Sequence, residues 1–155
     1  MIRLILAGLA LTAFTVVLHG ALTAVAAGSV SRRWFPPTAR LDSFGAELLI
    51  ARLVSTLLLV HLADAMVWAI FFTLVGALPD VKLAAYFSLT SYTTVGYGDV
   101  VLPEPWRLLG PLEAAVGVLM LGWSTGILVA VIGMIHGRPV PSLTAGDSAS
   151  TEGIP

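Results

Sequence analysis

Apolar positions fall into three long runs along the chain, and each run is broken by only a few strongly polar side chains. The first covers residues 2–27, with Arg3 at its edge and His19 inside. The second covers 48–78 and carries Arg52 near its start and His61 and Asp64 near its middle. The third covers 108–135 and holds one acid, Glu113. Each exceeds the ~20 residues needed to cross ~30 Å of hydrocarbon, so each predicts a transmembrane helix. Residues 79–107, between the second and third runs, are too short and too apolar for a soluble domain. Asp80 after Pro79 suits the cap of a helix over 81–92. Twelve residues rise about 18 Å, which does not span a bilayer. This helix is expected to enter the membrane partway, and the chain after it must return.

The remaining segments are polar or broken. Residues 28–47 contain Trp34 and Phe35, suited to a membrane interface. Pro36-Pro37 blocks a continuous helix there, and Asp42 or Ser43 is placed to cap the second span. After His136 come Gly-Arg-Pro and a tail of small polar residues, expected to be disordered. The expected organisation is an N-terminal helix at 1–27, a cytoplasmic linker at 28–47, a pore module at 48–136 and a tail at 137–155. No internal repeat is visible.

Composition agrees with a bilayer as solvent. The 155 residues are 57% hydrophobic and 11% charged, against roughly 25% charged for soluble domains. The formal net charge of −1 argues against a nucleic-acid partner. There are no cysteines, so disulfides and thiolate metal sites are excluded. Three histidines far apart in sequence, His19, His61 and His136, make a poor case for a metal site. No cofactor and no partner protein are implied.

Arg3, the apolar run and Ala24-Val25-Ala26 also fit a signal peptide with a small-residue cleavage site. Charge distribution opposes that reading. Cleavage would leave Arg32, Arg33 and Arg40 outside the cell and invert everything downstream. With three retained spans, those arginines and Arg138 share one side, while Arg3, Lys82 and Arg107 share the other. The positive-inside rule then sets the N-terminus outside and the C-terminus in the cytoplasm.

The segment after the short helix is Thr93-Thr94-Val95-Gly96-Tyr97-Gly98-Asp99. Non-helical backbone at membrane depth is tolerated only inside protein or along a water-filled path. Glycine at alternate positions, 96 and 98, frees the backbone to aim successive carbonyls the same way. Rings of such carbonyls can replace the water around a cation. The Thr94 hydroxyl can add an inner oxygen ring, and Asp99 adds negative charge at the outer mouth. Val95 and Tyr97 would then point away from the ion path, braced by Tyr86, Phe87 and Tyr92. The carbonyl end of the short helix would favour a cation.

Thr94-Val95-Gly96-Tyr97-Gly98 resembles the potassium-channel signature. The order helix, short helix, loop, helix over about 48–135 is similar to the two-helix pore module of prokaryotic potassium channels. The resemblance implies K⁺ bound at Thr94, Val95, Gly96 and Tyr97, with Gly98 completing the filter. It also implies a homotetramer, since four loops close a carbonyl ring and the motif occurs once. The location it implies is a bacterial plasma (inner) membrane. Potassium would flow passively, without chemistry, so no enzyme is expected. The first run is an addition to that module.

Two departures stand out. Thr90 occupies the position where several family members carry a glutamate that pairs with the aspartate after the filter. No run carries arginine at every third position, so no voltage sensor is expected, nor an attached ligand-binding domain.

Single polar residues complete the picture. His61 and Asp64 lie three apart, on one helical face near the bilayer centre. An acid there costs roughly 2.5–3.5 kcal/mol and should face protein. Ser124 and Thr125 fall at similar depth on the third run and are the expected partners. A structural hydrogen-bond cluster is favoured over a proton-sensitive gate built on His61. Glu113 is expected to brace the short helix or its own neighbours, and His19, for which the sequence names no partner, to be a snorkelling or packing residue. Gly122 and Gly126 permit close helix contact. Gly117 or Gly122 is a candidate bend in the last helix, as the resemblance implies. The expected fold is an all-α membrane protein: three transmembrane helices, with a re-entrant pore helix and filter loop between the second and third.

Overall fold

The computed structural model describes residues 2–34 and 43–135. Four α-helices follow in order: α1 (Ile2–Trp34), α2 (Ser43–Leu74), α3 (Val81–Tyr92) and α4 (Leu109–Ile135). One 3-10 turn, Trp106–Leu108, leads into α4. Among the described residues there is no strand. Three stretches, Ile2–Ala26, Phe44–Leu74 and Trp106–Ile135, are long and apolar enough to cross a membrane. The expected tail at 137–155 and the Pro36-Pro37 break lie outside the described residues, as do His136 and Asp42.

Two boundaries differ from the sequence reading. The first helix does not stop at residue 27 but continues to Trp34. Nothing in residues 28–34 removes a backbone donor, and the first proline stands at 36. The second ends earlier, at Leu74 rather than near 78. Its end is closed by Gly76 at φ +68. Ala77 N–H donates to the Phe72 carbonyl (2.9 Å), and Gly76 N–H donates to the Thr73 carbonyl (3.1 Å). That is a Schellman closure, with Ala77 and Phe72 buried together in the core.

Helix α3 starts where Asp80 accepts a hydrogen bond from Leu83 N–H at 2.9 Å. It packs on both α2 and α4. The core gathers Trp68, Ala69 and Phe72 of α2, Ala84 and Phe87 of α3, and Leu109, Val116 and Met120 of α4. Phe72 and Phe87 meet edge-to-face with ring centroids 5.6 Å apart. Elsewhere Leu53 and Leu57 of α2 meet Val131 of α4 in a separate cluster. Helix α1 lies against α2 and α4, contributing Leu11 to the core. It is pinned by a hydrogen bond from Trp68 Nε1–H to Thr15 Oγ1, at 3.1 Å between two fully buried side chains. The apolar windows of all three long helices remain mostly uncovered within one chain, α4 most of all. Those faces need lipid or further copies of the chain.

Candidate functional site

The loop after α3 is built by its backbone. Thr93 closes the helix, its hydroxyl donating to the Leu89 carbonyl at 2.6 Å. Thr94 N–H donates to Ser91 O (2.9 Å) and Gly96 N–H to Thr90 O (3.0 Å), tying the loop to the helix end. Positive φ then recurs at every second residue: Thr94 (+63), Gly96 (+52) and Gly98 (+79). The two glycines adopt this freely. Thr94 is the one described non-glycine residue with positive φ, which costs it about 1–2 kcal/mol.

Thr93, Thr94, Val95, Gly96, Tyr97, Gly98 and Asp99 are all exposed. Val95 is 53% and Tyr97 70% exposed, so the bracing expected from Tyr86, Phe87 and Tyr92 is not achieved within one chain. Those three are engaged elsewhere. Phe87 is in the core, and Tyr92 bonds to the α2 polar groups described below. Tyr86 Oη–H donates to Asp99 Oδ2 at 2.7 Å, and this bond is the main cause holding the Tyr86 phenol above its usual range. The other Asp99 oxygen accepts from Val100 N–H at 3.1 Å. Thr90 turns back to the Phe87 carbonyl. Tyr86, and not Thr90, is therefore the α3 side chain that bonds to Asp99.

A second group lies behind the loop. Asp64 is fully buried. Its Oδ2 accepts from His19 Nδ1–H at 2.6 Å and from Tyr92 Oη–H at 3.0 Å. Ser124 Oγ–H donates to His19 Nε2 at 3.1 Å. His61 Nδ1 lies 3.1 Å from Tyr92 Oη. Four helices thus meet through five side chains. His19, expected to snorkel or pack and given no partner from the sequence, is the hub of this group, so that expectation is corrected. Ser124 reaches Asp64 only through His19, and Thr125 does not join: its exposed hydroxyl donates to Leu121 O. His19, His61 and Asp64 are polar residues inside apolar runs, each needing a partner within the protein, and pairing them with one another was the signal that could have found the hub.

This group gives a stability prediction. In Asp64→Asn the amide retains an oxygen for Tyr92, and the loss of thermal stability is expected to be about 1 kcal/mol or less. In Asp64→Leu both donors lose their acceptor inside the protein, at a cost of about 1–3 kcal/mol. Thermal unfolding of the two variants in detergent should rank Asn clearly above Leu; equal stability would mean the bonds contribute nothing.

The glycines of α4 divide. A Cβ at Gly117 would collide with the Tyr92 backbone carbonyl, so glycine lets α4 touch the end of α3. A Cβ at Gly122 or Gly126 would meet nothing within 4 Å. Glu113 is fully buried against the buried Ser88 of α3, the contact with the short helix expected of it.

A family model described as ion channel matches residues 56–133, half of the chain, and leaves α1 outside. No curated protein matches, and no solved structure matches.

Proposed function

We propose, from the premise that the chain belongs to the ion channel family, that it is one subunit of a potassium-selective channel whose pore is closed by four copies. The premise itself makes this a multi-pass membrane protein, and a channel rather than an enzyme. The single observation that carries the proposal is the alternation of left-handed backbone at Thr94, Gly96 and Gly98. With φ alternating in sign, successive carbonyls can swing to one side and line an ion path.

The same segment supports the tetramer. It is irregular backbone, exposed in one chain, and such backbone is not tolerated against lipid. Only other copies can cover Val95 and Tyr97 and complete the carbonyl rings. In this assembly Thr94, Val95, Gly96, Tyr97 and Gly98 form the filter, and Asp99, held by Tyr86, sits at the outer mouth. Helix α3 is the re-entrant pore helix, its carbonyl end directed at the permeating ion. Helix α4 is the pore-lining helix. Gly122, free of neighbours in its own chain, is the better placed of the two candidate bends. Helix α1 is a retained outer span, tied on by Thr15 and His19. The N-terminus lies outside and the C-terminus inside a bacterial plasma membrane. No described helix carries arginine at every third position, so the channel is read as lacking a voltage sensor.

The test is ion flux into liposomes containing the purified protein, with native mass measurement of the complex. The proposal expects a mass of four chains and dissipation of a K⁺ gradient but not of a Na⁺ gradient. Equal dissipation of both would favour a less selective cation channel. A stable complex without flux would favour a membrane scaffold.

A further inference from the structure

The group around Asp64 has more coordinating capacity than its hydrogen bonds use. Asp64 Oδ2 serves both His19 and Tyr92, while Oδ1 is buried without a partner. Tyr92 has one hydroxyl proton and gives it to Asp64, so His61 Nδ1 must supply its own N–H to the Tyr92 oxygen. The lone pair of a neutral His61 is then on Nε2. Each of His19, His61 and Asp64 offers one ligand atom, and these atoms lie within 4.8 Å of one another. The two imidazole rings stand 5.1 Å apart, centroid to centroid.

We propose that His19, His61 and Asp64 form a binding site for a divalent transition-metal ion of the zinc type. Two imidazoles and one carboxylate are a zinc donor set with a fourth position open. Hard cations such as Mg²⁺ and Ca²⁺ prefer all-oxygen shells and are disfavoured. Ligand atoms around a tetrahedral zinc ion sit roughly 3.4 Å apart, so the side chains close by somewhat more than 1 Å on binding. The outer shell is in place: Ser124 holds His19 Nε2, and Tyr92 holds His61 Nδ1. A polar partner on the second nitrogen is what fixes a metal-ligating imidazole. Binding replaces the His19 Nδ1–H bond to Asp64 by one bond from His19 Nδ1 and one from Asp64 to the metal, and His19 changes tautomer, its single proton now on Nε2, with no net release from this imidazole. Ser124 Oγ then accepts from His19 Nε2–H. Half-buried His61 leaves the site an opening, while His19 and Asp64 close it from behind. A bound ion would clamp α1 to α2 next to Tyr92, two residues before Thr94.

The test uses the full chain in detergent, freed of any affinity tag and stripped with chelator, titrated with Zn²⁺ by calorimetry and with Co²⁺ by visible absorption. One ion per chain is expected at micromolar or tighter affinity, with Co²⁺ showing a tetrahedral ligand-field spectrum. His61→Ala and Asp64→Asn should each weaken binding by more than the 10–100-fold typical of outer-shell changes. Thr125→Ala and His136→Ala should leave it unchanged. Should His61→Ala fail to fold, His61→Gln serves the same comparison. Absence of uptake at micromolar metal overturns the site, leaving a hydrogen-bonded group only. Uptake that survives in both ligand variants, or disappears in His136→Ala, overturns it equally. Flux has no part in the readout, so this outcome is independent of whether the chain conducts potassium.

Discussion

Gly96→Ala is expected to abolish selective potassium flux while tetramers still assemble. A Cβ at Gly96 would meet nothing within 4 Å in its own chain, so the defect within one subunit is not a clash. It is conformational: the residue holds φ +52, where an L-residue pays about 1–2 kcal/mol. In the proposed tetramer all four copies would carry the change at one ring, and turning the 95–96 peptide away from the pore axis would relieve the strain. Thr94 already occupies the same region without being glycine, so the loop has little strain left to absorb. Tyr97→Ala should have the same outcome for a different reason, since it removes the bulk that must wedge the strand against neighbouring subunits. Selectivity for K⁺ over Na⁺ that survives either change would sink the filter assignment. Native mass measurement must show tetramers in both variants, which separates a lost filter from a lost assembly.

Gly117→Ala is expected to be the most damaging single methyl group in the last helix. The added carbon would lie on the Tyr92 carbonyl, which is backbone and cannot rotate away. Either α4 shifts outward or the end of α3 moves, and both break the contact that positions Thr93 and Thr94. Overpacking of this kind costs about 1–3 kcal/mol, and here it falls where Tyr92 also ties to Asp64 and His61. Gly122→Ala is the matched control: the same chemistry, one turn and a half along, in open space. Thermal unfolding should show a clear loss for Gly117→Ala and almost none for Gly122→Ala. Equal stability of the two would mean that α4 does not press on the end of α3.

Much of this arrangement was legible in the residues. Three long apolar runs give three long helices, and Asp80 with a twelve-residue limit gives α3 at the expected bounds, because capping and helix length are local. Alternate glycines foretold the alternate φ, but not that Thr94 would share it. That conformation is imposed by bonds from Thr94 and Gly96 back to Ser91 and Thr90, which no local propensity encodes. The polar group was half legible. His61 and Asp64 are close in sequence and share a face, whereas His19 approaches Asp64 from 45 residues away through packing of α1. Thr125 was misplaced because adjacent residues on a helix point about 100° apart, so only one of Ser124 and Thr125 can turn inward. The role of Tyr86 at Asp99 was hidden by its distance along the chain, thirteen residues and one helix end away.

The most direct measurement is the reversal potential of single channels in planar bilayers, with K⁺ on one side and an equal concentration of Na⁺ on the other. The account predicts a potential displaced far toward negative values on the K⁺ side, as expected when K⁺ alone carries current. A reversal near zero would contradict it, since a pore that passes both ions equally has no ring of carbonyls at Thr94–Gly98 matched to K⁺.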